Sequence, residues 1–296
     1  MITRKGLAVV FSGGGALGAF QVGVIDAFAR GGIKPQLIVG TSVGAINGTY
    51  WAFNPGPDAG QELLDIWRTC GPRTLFSDGF SRVLGRFLSG HDHLFGIGGL
   101  RRLLLRRFDE SLALENSTIP VAVVVTDAVS GDRRVLRSGH ALDAVLASCA
   151  IPGLLPSVRI HDHPYCDGGV VSHCDVEAAV DAGMATVIAV DVGGQTPTLR
   201  GALGAFARAT SFSLRRQSEL AYQLAAREVE LYVLQSNMAV APTLGDFRYT
   251  NRLFEAGRDA GLRFLATLPD RYRTLLPSVL AFPENVADVN FCPVAP

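Results

Sequence analysis

The pentapeptide Gly40-Thr41-Ser42-Val43-Gly44 carries the pattern G-x-S-x-G between an apolar run, Leu37 to Val39, and a stretch that continues as helix from Ala45 to Phe53. A serine on such a strand-to-helix turn must take a strained backbone conformation while strand and helix pass close together. The residues two before and two after it therefore have to be small, and its hydroxyl is held out for attack on a carbonyl. Alone, the pattern also fits an ordinary β-to-α turn. A second glycine-rich turn, Gly13-Gly14-Gly15-Ala16-Leu17-Gly18, follows the apolar run Leu7 to Phe11. It satisfies G-x-G-x-x-G and so invites a dinucleotide. A dinucleotide site needs an acidic residue at the end of the next strand, about 20 residues on, yet that strand ends in Gly40-Thr41-Ser42. Free N–H groups at a helix N-terminus suit an oxyanion as well as a phosphate. Beside Ser42 the oxyanion is the better use, one such donor being worth about 3 to 4 kcal/mol in acyl transfer.

A nucleophilic serine needs a base. The candidates among histidines are His91, His93, His140, His161, His163 and His173. None sits in a convincing strand-end loop late in the chain, as the order Ser, Asp or Glu, His would require. Asp167, in Tyr165-Cys166-Asp167-Gly168-Gly169-Val170, stands on a glycine turn after an apolar hairpin-like stretch, where the backbone can bring a carboxylate close to another loop. The same D-G-G also fits a plain tight turn. A free aspartate with a pKa of about 3.9 is a weak base at neutral pH, so direct activation of Ser42 calls for partial desolvation and a short hydrogen bond. His161, His163, Cys166, His173 and Cys174 flank Asp167, but no pair has a usual finger spacing; no metal and no other cofactor is expected.

The elements that must position these residues follow from periodicity. Leu7 to Phe11 reads as a buried strand and Ala16 to Arg30 as a helix, with Leu17, Phe20, Val24, Ala27 and Phe28 at helical spacing. The Leu37 to Phe53 stretch repeats strand, small-residue turn and helix, and two such units in succession favour a parallel sheet. Val121 to Val125 and Thr186 to Val190 fit further strands, and Leu231 to Leu234 an edge strand. Helices are expected at Asp58 to Thr69, His140 to Ser148, Asp175 to Ala182, Leu199 to Arg227 and Asn251 to Leu268, with an irregular tail over 269–296. The segment 71–107 breaks the rhythm. It mixes Phe76, Phe80, Leu84, Phe87, Leu88, Leu94, Phe95 and Ile97 with seven arginines. Two readings stay open for it, a mobile cover or lipid-interface surface and an ordinary helical insertion packing its apolar side inward.

Composition excludes several classes. The 296 residues include 27 basic and 27 acidic side chains and are 48% hydrophobic but only 18% charged, the reverse of a disordered polymer. Zero formal net charge supplies no global field toward a polyanion, so nucleic acid is not an expected partner. Lys5 and Lys34 are the only lysines. No run approaches the roughly 20 apolar residues of a membrane span, and the apolar stretch after Arg4 and Lys5 stops too early for a signal peptide. Five cysteines without a C-x-x-C suggest neither a disulfide framework nor a zinc ribbon; a reducing, cytoplasmic setting is the expectation, with peripheral membrane contact left open.

Taken together, Gly13-x-Gly15-x-x-Gly18, Gly40-Thr41-Ser42-Val43-Gly44 and Asp167-Gly168-Gly169, in that order, resemble the patatin-like phospholipase family. The resemblance extends to Gln21, Gly23, Ala45-Ile46-Asn47, Ser148-Cys149-Ala150-Ile151-Pro152-Gly153 and Val176-Glu177-Ala178-Ala179, about the first two thirds of the chain. It implies an α/β fold, a three-layer α/β/α sandwich with a mainly parallel central sheet, spanning 1–268. It further implies hydrolysis of lipid acyl esters by a Ser-Asp dyad without a catalytic histidine, through an acyl-enzyme. Carried over, Ser42 is the nucleophile, Asp167 its base, and the backbone of Gly13, Gly14, Gly15 and Ala16 the oxyanion hole, with Gly18, Gly40, Gly44, Gly168 and Gly169 supporting them. The alternatives are a lipid acyltransferase or a non-catalytic lipid-binding module on the same fold. One departure stands out: many bacterial members have Arg where this chain has Leu17. Acyl length, head group and oligomeric state are not read from the sequence.

Overall fold

The computed structural model describes residues 4–193, 201–236, 245–268 and 292–293. In chain order its elements are β1 (Leu7–Phe11), a 3-10 turn (Gly15–Leu17), α1 (Gly18–Arg30), β2 (Leu37–Thr41), α2 (Val43–Phe53), α3 (Ala59–Arg68), α4 (Pro72–Leu75), α5 (Phe80–Leu88) and α6 (Gly98–Leu104). Then follow β3 (Val121–Asp127), β4 (Arg133–Leu136), α7 (Ala141–Ser148), the hairpin β5 (Val158–Ile160) and β6 (His163–Asp167), α8 (Val176–Asp181) and β7 (Thr186–Asp191). The last are α9 (Gly201–Ala225), β8 (Glu230–Gln235), α10 (Thr250–Thr267) and β9 (Cys292–Pro293).

All these strands join one sheet in the order β5-β6-β3-β2-β1-β7-β8-β9, with β4 also on β3. The central pairings β3-β2-β1-β7-β8 are parallel. Alternate residues of β1 enter different cores: Leu7, Val9 and Phe11 join one cluster, Ala8 and Val10 the other. A parallel strand covered on both faces must be apolar throughout, which is why the continuous runs at Leu7, Val121 and Thr186 are strands. The first cluster holds side chains of α1, α2, α3, α7 and α10, the second those of α8 and of Tyr222 and Ala225 on α9. The result is a three-layer α/β/α sandwich with β1 at its centre. The first and last described helices lie against each other at glycines: a Cβ on Gly23 of α1 would stand 1.9 Å from the Phe254 carbonyl oxygen, and one on Gly257 of α10 equally close to that of Phe20.

Several expectations need correction. Leu231 to Leu234 lies in β8, yet it is not a free edge, because Cys292–Pro293 pairs antiparallel with Tyr232 and Val233. Strand β4 has no sequence signal; Arg133 and Arg134 interrupt any apolar pattern, and the strand forms because β3 offers it an edge. The start of the expected helix at Leu199 and most of the tail beyond Leu268 lie outside the described residues. In 71–107, α6 buries Leu100, Leu103 and Leu104, whereas α5 adds no described side chain to either core. No helix among the described residues is long and apolar enough to cross a membrane.

Candidate active site

Strand β2 ends at Thr41 and α2 begins at Val43, so Ser42 makes the turn by itself, at φ 54° and ψ −122°. A non-glycine residue pays about 1–3 kcal/mol for such a conformation and keeps it only where its surroundings insist. The Ser42 N–H donates to Ser148 Oγ at 2.8 Å, and that hydroxyl donates onward to the Val124 carbonyl at 2.6 Å. Close approach does the rest. A Cβ on Gly40 would lie 2.4 Å from the Gly44 carbonyl oxygen, and one on Gly44 would lie 2.4 Å from that of Phe11. The spacing of the motif is therefore steric.

Asp167 reaches Ser42 because β6 takes over an edge of β3 that β2 leaves. Thr41 is opposite Val124, and Asp167 is opposite the next residue, Val125. The other edge of Val125 is occupied by Arg134 of β4, so β2 and β6 meet end to end along the same side of β3. The Ser42 hydroxyl donates to Asp167 Oδ2 at 2.6 Å, and the Gly169 N–H donates to Oδ1 at 2.7 Å. The aspartate backbone is pinned as well: its N–H donates to the Ala150 carbonyl at 3.0 Å, and Thr126 Oγ1 donates to its carbonyl at 2.9 Å. With Ser42 only 9% and Asp167 only 5% exposed, the carboxylate has lost most of its hydration. Burial pushes its pKa up to about 6, against the opposing pull of the hydrogen bonds from Ser42 and Gly169. A carboxylate with that pKa is a far better proton acceptor near neutrality than a free one. The Cys149 thiol is buried beside this pair, and burial and the Asp167 charge both push it up, keeping it protonated.

The glycine loop lies directly beside the serine: a Cβ on Gly13 would stand 3.5 Å from Ser42 Cβ. The Gly13 N–H donates to the His173 carbonyl at 2.9 Å, so it is not available to an oxyanion, contrary to the expectation. Those of Gly14, Gly15 and Ala16 precede the first bond of the 3-10 turn, Leu17 N–H to the Gly14 carbonyl, and have no intrahelical acceptor. Gly14 and Gly15 take positive φ (153° and 54°), and a Cβ on Gly14 would meet Val192 at 2.5 Å. Gln21 Nε2 donates to the Ser12 carbonyl, fixing the loop's start. Leu17 is buried.

His173 lies against this loop, its ring 3.3 Å from the same Cβ position on Gly13, with Nε2 3.8 Å from Asp191 Oδ1. Burial lowers its pKa and keeps the imidazole neutral. It bonds to neither Ser42 nor Asp167 among the described residues. His163 bonds to Asp127 Oδ2 at 2.7 Å, His93 to Asp92, and His140 stands beside Asp143; none of them meets Ser42. Among the described residues no three His, Cys, Asp or Glu side chains converge as metal ligands. The residue whose role escaped sequence reasoning is Ser148. A lone buried serine at a helix end carries no motif of its own, and only the family-like stretch around it marked the place.

A sheet with its glycine loop after the central strand, and a strained serine at the end of the neighbouring strand, defines an α/β class whose working groups sit outside the carboxyl ends of the strands. The family model for patatin-like phospholipases matches residues 9–180, and the chain belongs to that family. Patatin-like phospholipase domain-containing protein 6 of Homo sapiens is 28% identical over 203 residues, 67% of this chain and 14% of that protein. Lysophospholipase NTE1 of Scheffersomyces stipitis is 26% identical over 205 residues, 65% of this chain and 12% of that protein. The chain thus spans a small part of these curated relatives. Among solved structures, VipD from Legionella pneumophila aligns with a TM-score of 0.45 and 14% identity over 90% of this chain and 67% of that one, too loose a likeness to bear on function.

Proposed function

We propose that the chain is a serine hydrolase of lipid acyl esters, with Ser42 as nucleophile and Asp167 as its general base. The observation that carries this reading is the 2.6 Å hydrogen bond from the Ser42 hydroxyl to a desolvated carboxylate, made from a strained turn. Membership of the patatin-like phospholipase family, and relatives named for phospholipase and lysophospholipase activity, support the substrate class.

In this mechanism Ser42 Oγ attacks the ester carbonyl carbon as its proton passes to Asp167 Oδ2. The carbonyl π bond opens and the charge on its oxygen is received by the N–H groups of Gly14, Gly15 and Ala16. Collapse breaks the bond to the alcohol oxygen, and Asp167 returns the proton to that leaving group. Water then attacks the acyl-serine, giving its proton to Asp167, and a second collapse breaks the bond to Ser42 Oγ, which takes that proton back from Asp167 as the fatty acid leaves. No histidine takes part, and neutral His173 contributes only the shape of the glycine loop.

The test is a panel of acyl esters of increasing chain length, assayed with and without a lipid surface. Ser42→Ala and Asp167→Asn should each lower kcat by roughly a thousandfold or more while circular dichroism stays native. Full activity in either variant would remove the dyad.

A further inference from the structure

Helix α5 is mounted inside out. Leu84, Phe87 and Leu88 recur at i, i+3 and i+4 and so share one face, yet they are 42, 69 and 73% exposed. The helix is held by its polar side. Arg86 is half-buried and donates to Asp78 Oδ2 at 2.7 Å and to the Leu94 carbonyl at 3.0 Å, and Asp78 also receives the Gly96 N–H at 2.6 Å. These bonds lower the Asp78 pKa and keep the anchor charged. A helix that turns Arg86 inward and Leu84, Phe87 and Leu88 outward leaves an apolar face open to contact.

Charge indicates the partner. The segment 71–107 carries seven arginines and two aspartates, a formal +5 in a chain whose net charge is zero. Arg73, Arg82, Arg102, Arg106 and Arg107 are exposed. A short amphipathic helix with large apolar side chains on one face, in a segment that also exposes five arginines, matches the interface of an anionic bilayer, where the apolar groups enter the acyl boundary and the guanidinium groups meet phosphate. The position is apt. After α5 the chain returns beside the loop that follows α7, with Leu94 N–H to the Gly153 carbonyl at 3.1 Å and Phe95 N–H to that of Leu154 at 2.9 Å. That loop continues from Ala150, whose carbonyl holds Asp167.

We propose that α5 docks this protein on anionic lipid surfaces, inserting Phe87 and Leu88, so that the Ser42 site faces the membrane from which acyl esters are drawn. Docking itself needs no turnover; only the direction of substrate supply rests on the hydrolase reading. The experiment is therefore co-sedimentation of the Ser42→Ala protein with vesicles of phosphatidylcholine alone or with phosphatidylglycerol added. Binding should require phosphatidylglycerol and weaken as salt is raised. Phe87→Ser/Leu88→Ser should bind at least about tenfold more weakly, since two large apolar groups no longer leave water, and Arg82→Glu should weaken binding to the anionic vesicles alone. Both variants change exposed side chains, and thermal unfolding matching the parent protein verifies their fold. Equal binding to the two vesicle types would overturn the proposal, as would unchanged binding by Phe87→Ser/Leu88→Ser. So would a concentration-dependent dimer abolished by that same variant, which would make a second copy the occupant. Failure of the hydrolase reading would appear separately, as ester turnover that survives Ser42→Ala.

Discussion

A carboxylate is ordinarily too weak a base to take a proton from serine near pH 7, and the role proposed for Asp167 depends on its environment at the scale of one residue. Burial lifts its pKa from 3.8 to about 6, so kcat/KM should rise with pH as one proton leaves and level off above about pH 6. A profile flat from pH 5 to 8 would argue against Asp167 as base. The same shift affects folding. The folded-state pKa lies above the unfolded one, so this group's contribution to stability is fully present below about pH 4 and is lost as pH rises through about 6. Near pH 8 the ionised carboxyl leaves the fold on the order of 3 kcal/mol less stable than a neutral one would. Asp167→Asn should therefore raise Tm at pH 8 and have little effect at pH 4, while abolishing hydrolysis. Thermal melts at the two pH values check this.

At the scale of elements, the site is a junction of strand ends. Ser148, at the close of α7, links the Ser42 N–H to the Val124 carbonyl, tying β2, β3 and α7 together behind Ser42. Ser148→Ala would leave both backbone groups buried without this partner, at about 1–3 kcal/mol of stability. It should lower kcat more than it changes KM, because the turn relaxes while the substrate surface stays intact; a melt and steady-state kinetics separate the two effects. The elements themselves were largely legible. Continuous apolar runs marked the buried parallel strands, and glycine spacing marked the two turns, since both follow from local steric and burial requirements. Strand β4 was not legible, because Arg133 and Arg134 become strand residues only when β3 presents an edge. Nor was the engagement of the Gly13 N–H, which depends on the carbonyl of a residue far along the chain, His173.

At the scale of the whole molecule, the two ends of the described fold clasp each other. Helices α1 and α10 approach so closely that a methyl group at Gly23 would overlap the Phe254 carbonyl oxygen. Gly23→Ala should cost about 3 kcal/mol or more, because backbone must move to admit it, and should lower Tm with no change in the pH profile of any remaining activity. The 48% hydrophobic composition divides between two cores on the faces of the sheet and an outward-facing α5. The amino-acid order by itself determined the buried parallel sheet, the serine turn and the glycine loop, because burial periodicity and the need for small residues are written in neighbouring positions. Only the tertiary structure decided that Asp167, 125 residues from Ser42, stands 2.6 Å from its hydroxyl, since that depends on β6 succeeding β2 along one edge of β3. The orientation of α5 was decided there too: a periodic pattern says that a helix has an apolar face, and only the anchoring of Arg86 to Asp78 turns that face toward solvent.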